Sequence, residues 1–314
     1  MKQGGSGAIP AKLGLREYGM KRLIISLCLI ALLFQFSLDG KAVDVELSSQ
    51  PVSEAAEQLQ ILMPIASGYQ LRKNSEVEID YSNVAFGYVM VRYLVPVNQE
   101  LRVLITTPNK TVYTYRLEYS DQFDVFPLSE GDGIYNIGIY KQSRENKYAN
   151  ILSLLIDVKL SDEFAPFLHP NKFVNFNSSS LILEKTAEFK ALDDNQAVID
   201  AVHKFIVDNM HYNKELADNL DTWYIPDIDR IYSELTGTCF DYAVLMVAML
   251  RSLGLPAKLV FGHTRINYHA WVEVYTESTG WVRKDPMIES VGKIRMVSIQ
   301  FIKNDNNYKP MYRY

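Results

Sequence analysis

From Phe240 to Leu253 nearly every residue is apolar, and the run contains neither Gly nor Pro. So long and even a run does not alternate as a half-buried strand does; it predicts a helix buried all round. Thr238 is placed as its N-cap, with Asp241 three residues later closing a variant capping box. Gly254 and Pro256 then end it. Cys239 falls at the first helical position, where free N–H groups and the positive end of the macrodipole favour a thiolate. The plainer alternative is a structural cysteine, since free Cys is among the most buried residue types.

The downstream chain decides between them. Tyr268-His269-Ala270-Trp271-Val272-Glu273-Val274-Tyr275 has strand period, with His269, Trp271, Glu273 and Tyr275 on one face. Glu277-Ser278-Thr279-Gly280 supplies a hairpin turn, and the return strand runs from Trp281 to Pro286. Pairing about a centre near Glu277 sets Asp285 opposite His269, and a bulge would shift this by about one residue. Opposed residues have Cβ atoms about 5 Å apart, within reach of an Asp–His hydrogen bond. A helix-start thiol, a strand imidazole and a cross-strand carboxylate form a Cys239-His269-Asp285 constellation: nucleophile, proton shuttle and orienting acid. His263 lacks a facing acid, and Glu273 points alongside the imidazole rather than across at it.

Gly237-x-Cys239-x-Asp241-Tyr242-Ala243, Leu250-Arg251-x-x-Gly254-Leu255-Pro256-Ala257, Gly262, His269-Ala270-Trp271, Trp281 and Asp285-Pro286 together resemble the transglutaminase-like superfamily in order and spacing. The resemblance covers about the last 135 residues. It implies an α+β, papain-related catalytic domain with Cys239, His269 and Asp285 in the three catalytic positions. It also implies acyl-enzyme chemistry of the kind used by crosslinking enzymes, cysteine proteases and amidases, although some members have no activity. An upstream side chain often assists the oxyanion hole in that family, which makes Trp223 a candidate; Tyr242 and Trp271 are further cleft candidates.

Composition narrows the remaining possibilities. The 314 residues carry a net charge of −5, with no basic stripe and no fingerprint of a nucleic-acid-binding module. No phosphate loop or dinucleotide motif occurs. Five histidines without an HExxH pairing, and two cysteines, do not build a zinc site. No calcium loop of the EF-hand type occurs, so the expectation is no cofactor and no metal.

Along the chain, residues 1–42 read as a secretory signal region whose true start is Met20. Met20-Lys21-Arg22 is the positive segment, Leu23 to Phe36 the apolar core, and Gly40-Lys41-Ala42 the cleavage site, with an uncleaved anchor as the other outcome. Cys28 leaves with the signal, so Cys239 has no disulfide partner, and an unpaired thiol in an exported chain is either reactive or hidden. Residues 43–74 are a lead-in with a short helix around 53–62. Residues 75–160 hold about seven short strands rich in Tyr, Val and Ile, which suggest an all-β, immunoglobulin-like sandwich. A Pro/Asn/Ser-rich linker over 161–178 leads to the catalytic domain, 179–314, expected to fold by itself. It opens with helices at 181–192 and 195–210, where His203 and His211 read as solvated or capping residues. A strand at 294–302 and a Tyr-rich tail close it. The expectation is a secreted or cell-surface thiol enzyme acting on a protein or peptide, cell-wall peptide included. The rival is a non-catalytic surface protein that binds through the sandwich.

Overall fold

The computed structural model describes residues 59, 61–265, 267–295 and 307–314. The signal region, Cys28 and most of the helix expected at 53–62 lie outside them. No helix among the described residues is long and apolar enough to cross a membrane.

Eight strands come first: β1 (Leu71–Lys73), β2 (Val77–Asp80), β3 (Tyr88–Tyr93), β4 (Leu101–Thr106), β5 (Val112–Leu117), β6 (Asp124–Pro127), β7 (Gly133–Arg144) and β8 (Lys147–Val158). They form two four-stranded antiparallel sheets, ordered β1-β2-β3-β6 and β5-β4-β7-β8. Period-two patterning explains their inner faces: Leu101, Val103 and Ile105 of β4 are buried, as are Tyr113, Tyr115 and Leu117 of β5, while the residues between them are not.

Helices α1 (Ile182–Lys190) and α2 (Asn195–Asn209), strand β9 (His211–Tyr212), helices α3 (Lys214–Asp218) and α4 (Ile228–Glu234) and strand β10 (Thr236–Gly237) lead to α5 (Cys239–Ser252). Every α5 residue from Phe240 to Ser252 is buried, as its composition requires. Strands β11 (Ala257–Thr264), β12 (Tyr268–Thr276) and β13 (Gly280–Lys284), helix α6 (Pro286–Arg295) and strand β14 (Tyr308–Arg313) complete the chain. The last four strands form one antiparallel sheet ordered β13-β12-β11-β14, against which α5 packs.

Two sequence expectations change here. Thr276 pairs with Gly280, so the hairpin is centred on residue 278 and Asp285 is not directly opposite His269. Residues 286–295 are helical, where the strand expected at 294–302 was to begin; Asp285 precedes a proline at the first helical position and accepts the Ile288 N–H at 3.1 Å, a strong helix start. The rest of that expected strand lies in 296–306, outside the described residues. The Tyr-rich tail pairs as β14 along the edge of β11.

The segment read as a linker is packed rather than exposed. Phe167, Val174 and Phe176 are buried. Phe173 lies against Tyr115, Phe240, Phe261 and Tyr314. Side chains from the first two sheets, this segment and α5 belong to one continuous core.

Candidate active site

Cys239 opens α5, a free and half-buried thiol. The helix start is fixed by Asp241, whose Oδ2 accepts the backbone N–H of Thr238 at 2.6 Å and its hydroxyl at 2.8 Å. Oδ1 accepts the Tyr224 hydroxyl, which in turn accepts Arg230 Nη2 at 2.8 Å. A fully buried carboxylate is tolerable only when paired and hydrogen-bonded in this way. The turn back explains Gly237, where a Cβ would lie 2.4 Å from Asp241 Cβ. Position 237 therefore has no room for a side chain while Asp241 holds Cys239 in place.

His269 stands near the start of β12 and is 5% exposed. Its Nε2 meets Asp285 Oδ2 at 2.8 Å. Asp285 reaches it although the ladder register points it at Trp271. It lies one residue beyond β13 on the same face, within reach of the diagonal neighbour. Burial alone would lower the imidazole's pKa. The Asp285 charge and hydrogen bond, joined by a hydrogen bond with Cys239, override burial and raise it to about 10. With Nε2 engaged by Asp285, Nδ1 is the nitrogen left for the thiol. An imidazolium that persists through neutral pH is the charge partner a thiolate needs.

The cleft candidates fare differently. Trp271 is buried, near-parallel to the His269 ring with centroids 6.3 Å apart, so it backs the imidazole rather than lining a cleft. Tyr242 is fully buried with its hydroxyl 3.4 Å from Ser290 Oγ; at the fourth position of a helix packed all round, it faces the core and not solvent. Trp223 lies 5.2 Å from the Arg102 guanidinium of β4, a partner in a different sheet that local sequence could not reveal. The aromatics that feel the Cys239 charge are two the sequence reading passed over, Tyr212 of β9 and Tyr268 of β12. Partial desolvation raises both phenols; the Cys239 charge raises Tyr212 further, and Tyr312 followed by Cys239 raise Tyr268, to about 12. Both remain exposed. Tyr268 adjoins His269, which was the available signal; Tyr212 had none, being brought in by a two-residue parallel bridge to Thr236-Gly237.

His203 is not solvated. Its Nε2 lies 3.4 Å from Glu289 and, being buried, makes no hydrogen bond. His211 is exposed on β9. Glu273 faces Arg313, and His263 meets the edge of Tyr268. No group of three or more metal-ligating side chains occurs among the described residues.

A thiol at a helix start, a strand imidazole and an acid at the strand's end stand together, and sequence comparison points to a class with that arrangement. Residues 185–286 match the model of the Transglutaminase-like superfamily, and the chain carries a domain of that superfamily, whose members are generally cysteine-dependent enzymes. Over 187 residues it is 27% identical to the uncharacterized protein YebA of Bacillus subtilis, a match covering 52% of this chain and 25% of YebA. The chain thus spans about a quarter of that relative's length. Among solved structures it resembles a candidate cysteine protease from Cytophaga hutchinsonii (TM-score 0.40, 15% identity, 78% of this chain and 73% of that one). It also resembles the periplasmic domain of TgpA from Pseudomonas aeruginosa (TM-score 0.33, 15% identity, 74% and 79%).

Proposed function

We propose that this chain is an exported thiol enzyme that forms an acyl-enzyme on Cys239 from a peptide or carboxamide. The observation that carries this reading is the 2.8 Å contact between His269 Nε2 and Asp285 Oδ2, with the other side of the imidazole turned to a thiol at a helix N-terminus. The Cys239 thiolate attacks the carbonyl carbon, and the electron pair moves to oxygen. The backbone N–H of Cys239 is one donor for that oxyanion. The oxyanion collapses as the C–N bond breaks, and His269 gives its proton to the departing amine or ammonia. Water then attacks the thioester with His269 as base, or an amine does so in a crosslinking reaction. Either attack returns the thiol. Tyr212 and Tyr268, exposed on either side in sequence and both sensing Cys239, are the proposed walls for a peptide segment.

The two antiparallel sheets of residues 71–158 are proposed as an immunoglobulin-like sandwich that buttresses the 179–314 domain and places it at the cell surface. Support for that location comes from the signal-like segment at 20–42.

The test needs no known substrate. Alkylation of Cys239 by iodoacetamide should persist to about pH 6, well below the range in which an ordinary thiol ionises. His269→Ala should abolish the low-pH reactivity, and Asp285→Ala should reduce it. A slow rate at every pH, indifferent to both substitutions, would leave a structural cysteine in a non-catalytic binding protein.

A further inference from the structure

The Asp285 carboxylate is engaged by more than His269 alone. Oδ1 caps α6 through Ile288 N–H. Oδ2 takes the His269 contact at 2.8 Å and also accepts the Tyr308 hydroxyl, again at 2.8 Å. Tyr308 opens β14, two strands away from His269 in the sheet. Register explains the approach: Tyr308 pairs with Thr264 and His269 pairs with Gly262, so all four positions lie on one face of the sheet. Gly262 leaves that face open, since a Cβ there would lie 2.8 Å from the Trp271 ring and 2.2 Å from the Lys309 carbonyl oxygen. Trp271 meets Tyr308 edge-on at 5.2 Å, and with Val260 they form a small buried cluster separate from the main core. The Arg283 guanidinium lies 3.9 Å over the Tyr308 ring. Burial, then the Asp285 charge, hold the phenol protonated far above its ordinary range, so it acts as a donor.

We propose that Tyr308 is a positioning residue for the thiol chemistry: its hydroxyl shares Asp285 Oδ2 with His269 and limits how much of the carboxylate's charge the imidazole receives. This rests on the reading of Cys239, His269 and Asp285 given above. A donor on a carboxylate oxygen lowers the basicity of that oxygen. The imidazolium it faces is then held less tightly and is a better acid toward the leaving amine. The charged groups around this point are His269 from β12, Cys239 from α5, Arg283 from β13, Glu289 from α6 and His203 from α2, with Lys284, Asp200 and Lys293 further out around His203 and Glu289. His269 and Tyr308 meet at the same oxygen, Asp285 Oδ2.

The experiment follows the His269 titration by NMR in the full chain, with histidine labelled at Cε1 and the resonance assigned by its loss in His269→Ala. Tyr308→Phe should move the midpoint upward by about half to one pH unit. A tyrosine that merely fills space would lower the melting temperature and leave the midpoint in place. If Tyr308→Phe does not fold, 3-fluorotyrosine at position 308, a stronger donor of the same shape, should move the midpoint downward. An unmoved midpoint in the folded variants overturns the proposal. Asp285→Asn should return the midpoint toward the ordinary histidine range. If it does not, the relay itself is wrong, and the Tyr308 proposal falls with it for that separate reason.

Discussion

The two faces of the C-terminal sheet are built from the same strands and do different things. On one face Ala270, Val272 and Val274 of β12 and Ala257 and Leu259 of β11 join α5 in the main core. That face is dry and apolar, and its contribution is burial, about 1.5–3 kcal/mol for each fully covered large side chain. The other face carries His269, Trp271 and Glu273 of β12, Lys258 of β11, Arg283 of β13, Asp285 and Tyr308. Several of these are buried too, but they are held by hydrogen bonds and ring contacts whose partners must all be present. One alternating strand thus separates the apolar side chains that hold the domain together from the polar ones gathered around its thiol.

That separation is most easily broken by pairing one substitution from each face. His269→Ala should reduce Cys239 alkylation at about pH 6 by about 100-fold or more, the factor set by returning to an ordinary thiol. Leu259→Ala, on the apolar face, should cost about 2–5 kcal/mol in denaturant unfolding and leave the rate of alkylation in the remaining native protein unchanged. If the leucine variant loses low-pH reactivity at full stability, the two faces are not independent.

A smaller effect sharpens the comparison at the edge of the polar face. Burial, followed by the nearby Lys284 charge, lowers the His203 pKa to about 4, and the Asp200 and Asp285 charges oppose this only in part. The unfolded chain takes up that proton near 6.5 and the folded chain does not until about 4. Stability from His203 is therefore present above 6.5 and lost as pH falls to 4, on the order of 2–3 kcal/mol. His269 has the opposite sign. With its pKa raised to about 10, its contribution is complete below 6.5 and lost as pH rises through 10. Melting temperatures from pH 4 to 7 should flatten in His203→Phe and keep their slope in His269→Ala. The reverse pattern would show that the acid limb belongs to the relay.

How far the sequence carried can be read from particular residues. Side-chain parity along 268–275 was visible, because period two needs only local information, and it put His269 and Trp271 on one face. Asp285 was found through a register centred one residue early. In the structure Asp285 is tied by its cap to α6 and meets His269 diagonally. Tyr308 was out of reach, since β14 joins β11 across more than forty residues and a strand's partner is not written in its own pattern. The expectation that 179–314 folds by itself meets a shared core instead. Arg251, fully buried on α5, donates to His169 of the 161–178 segment at 2.7 Å, and Ser129 Oγ donates to the Arg313 carbonyl at 2.6 Å. Contacts of that kind depend on how separate segments meet, which composition does not encode.

The smallest effect is expected where the polar face meets the 161–178 segment. Lys258 Nζ sits 3.4 Å from the centre of the Trp281 ring and 4.8 Å from that of Phe167. Two terms compete there. Burial lowers the Lys258 pKa to about 8, so the fold disfavours its charge, and the Glu273 carboxylate only partly offsets this. The ring faces favour the charge by about 0.5–2 kcal/mol. Because the side chain keeps some solvent contact, the desolvation cost is screened and smaller than the shift suggests. The ring attraction offsets only part of the burial cost, and Lys258→Met, which keeps the stem over the rings, should change stability at pH 7 by only about 1 kcal/mol. The pH dependence should still respond. Between 8 and 10.5 the unfolded chain binds the Lys258 proton more readily than the folded one, so the wild type gains stability from this residue as pH rises. Lys258→Met should lose that gain. Denaturant midpoints at pH 7 and pH 10 for the two chains separate the terms: a large loss at pH 7 would mean that the aromatic cage, rather than burial, dominates this corner of the sheet.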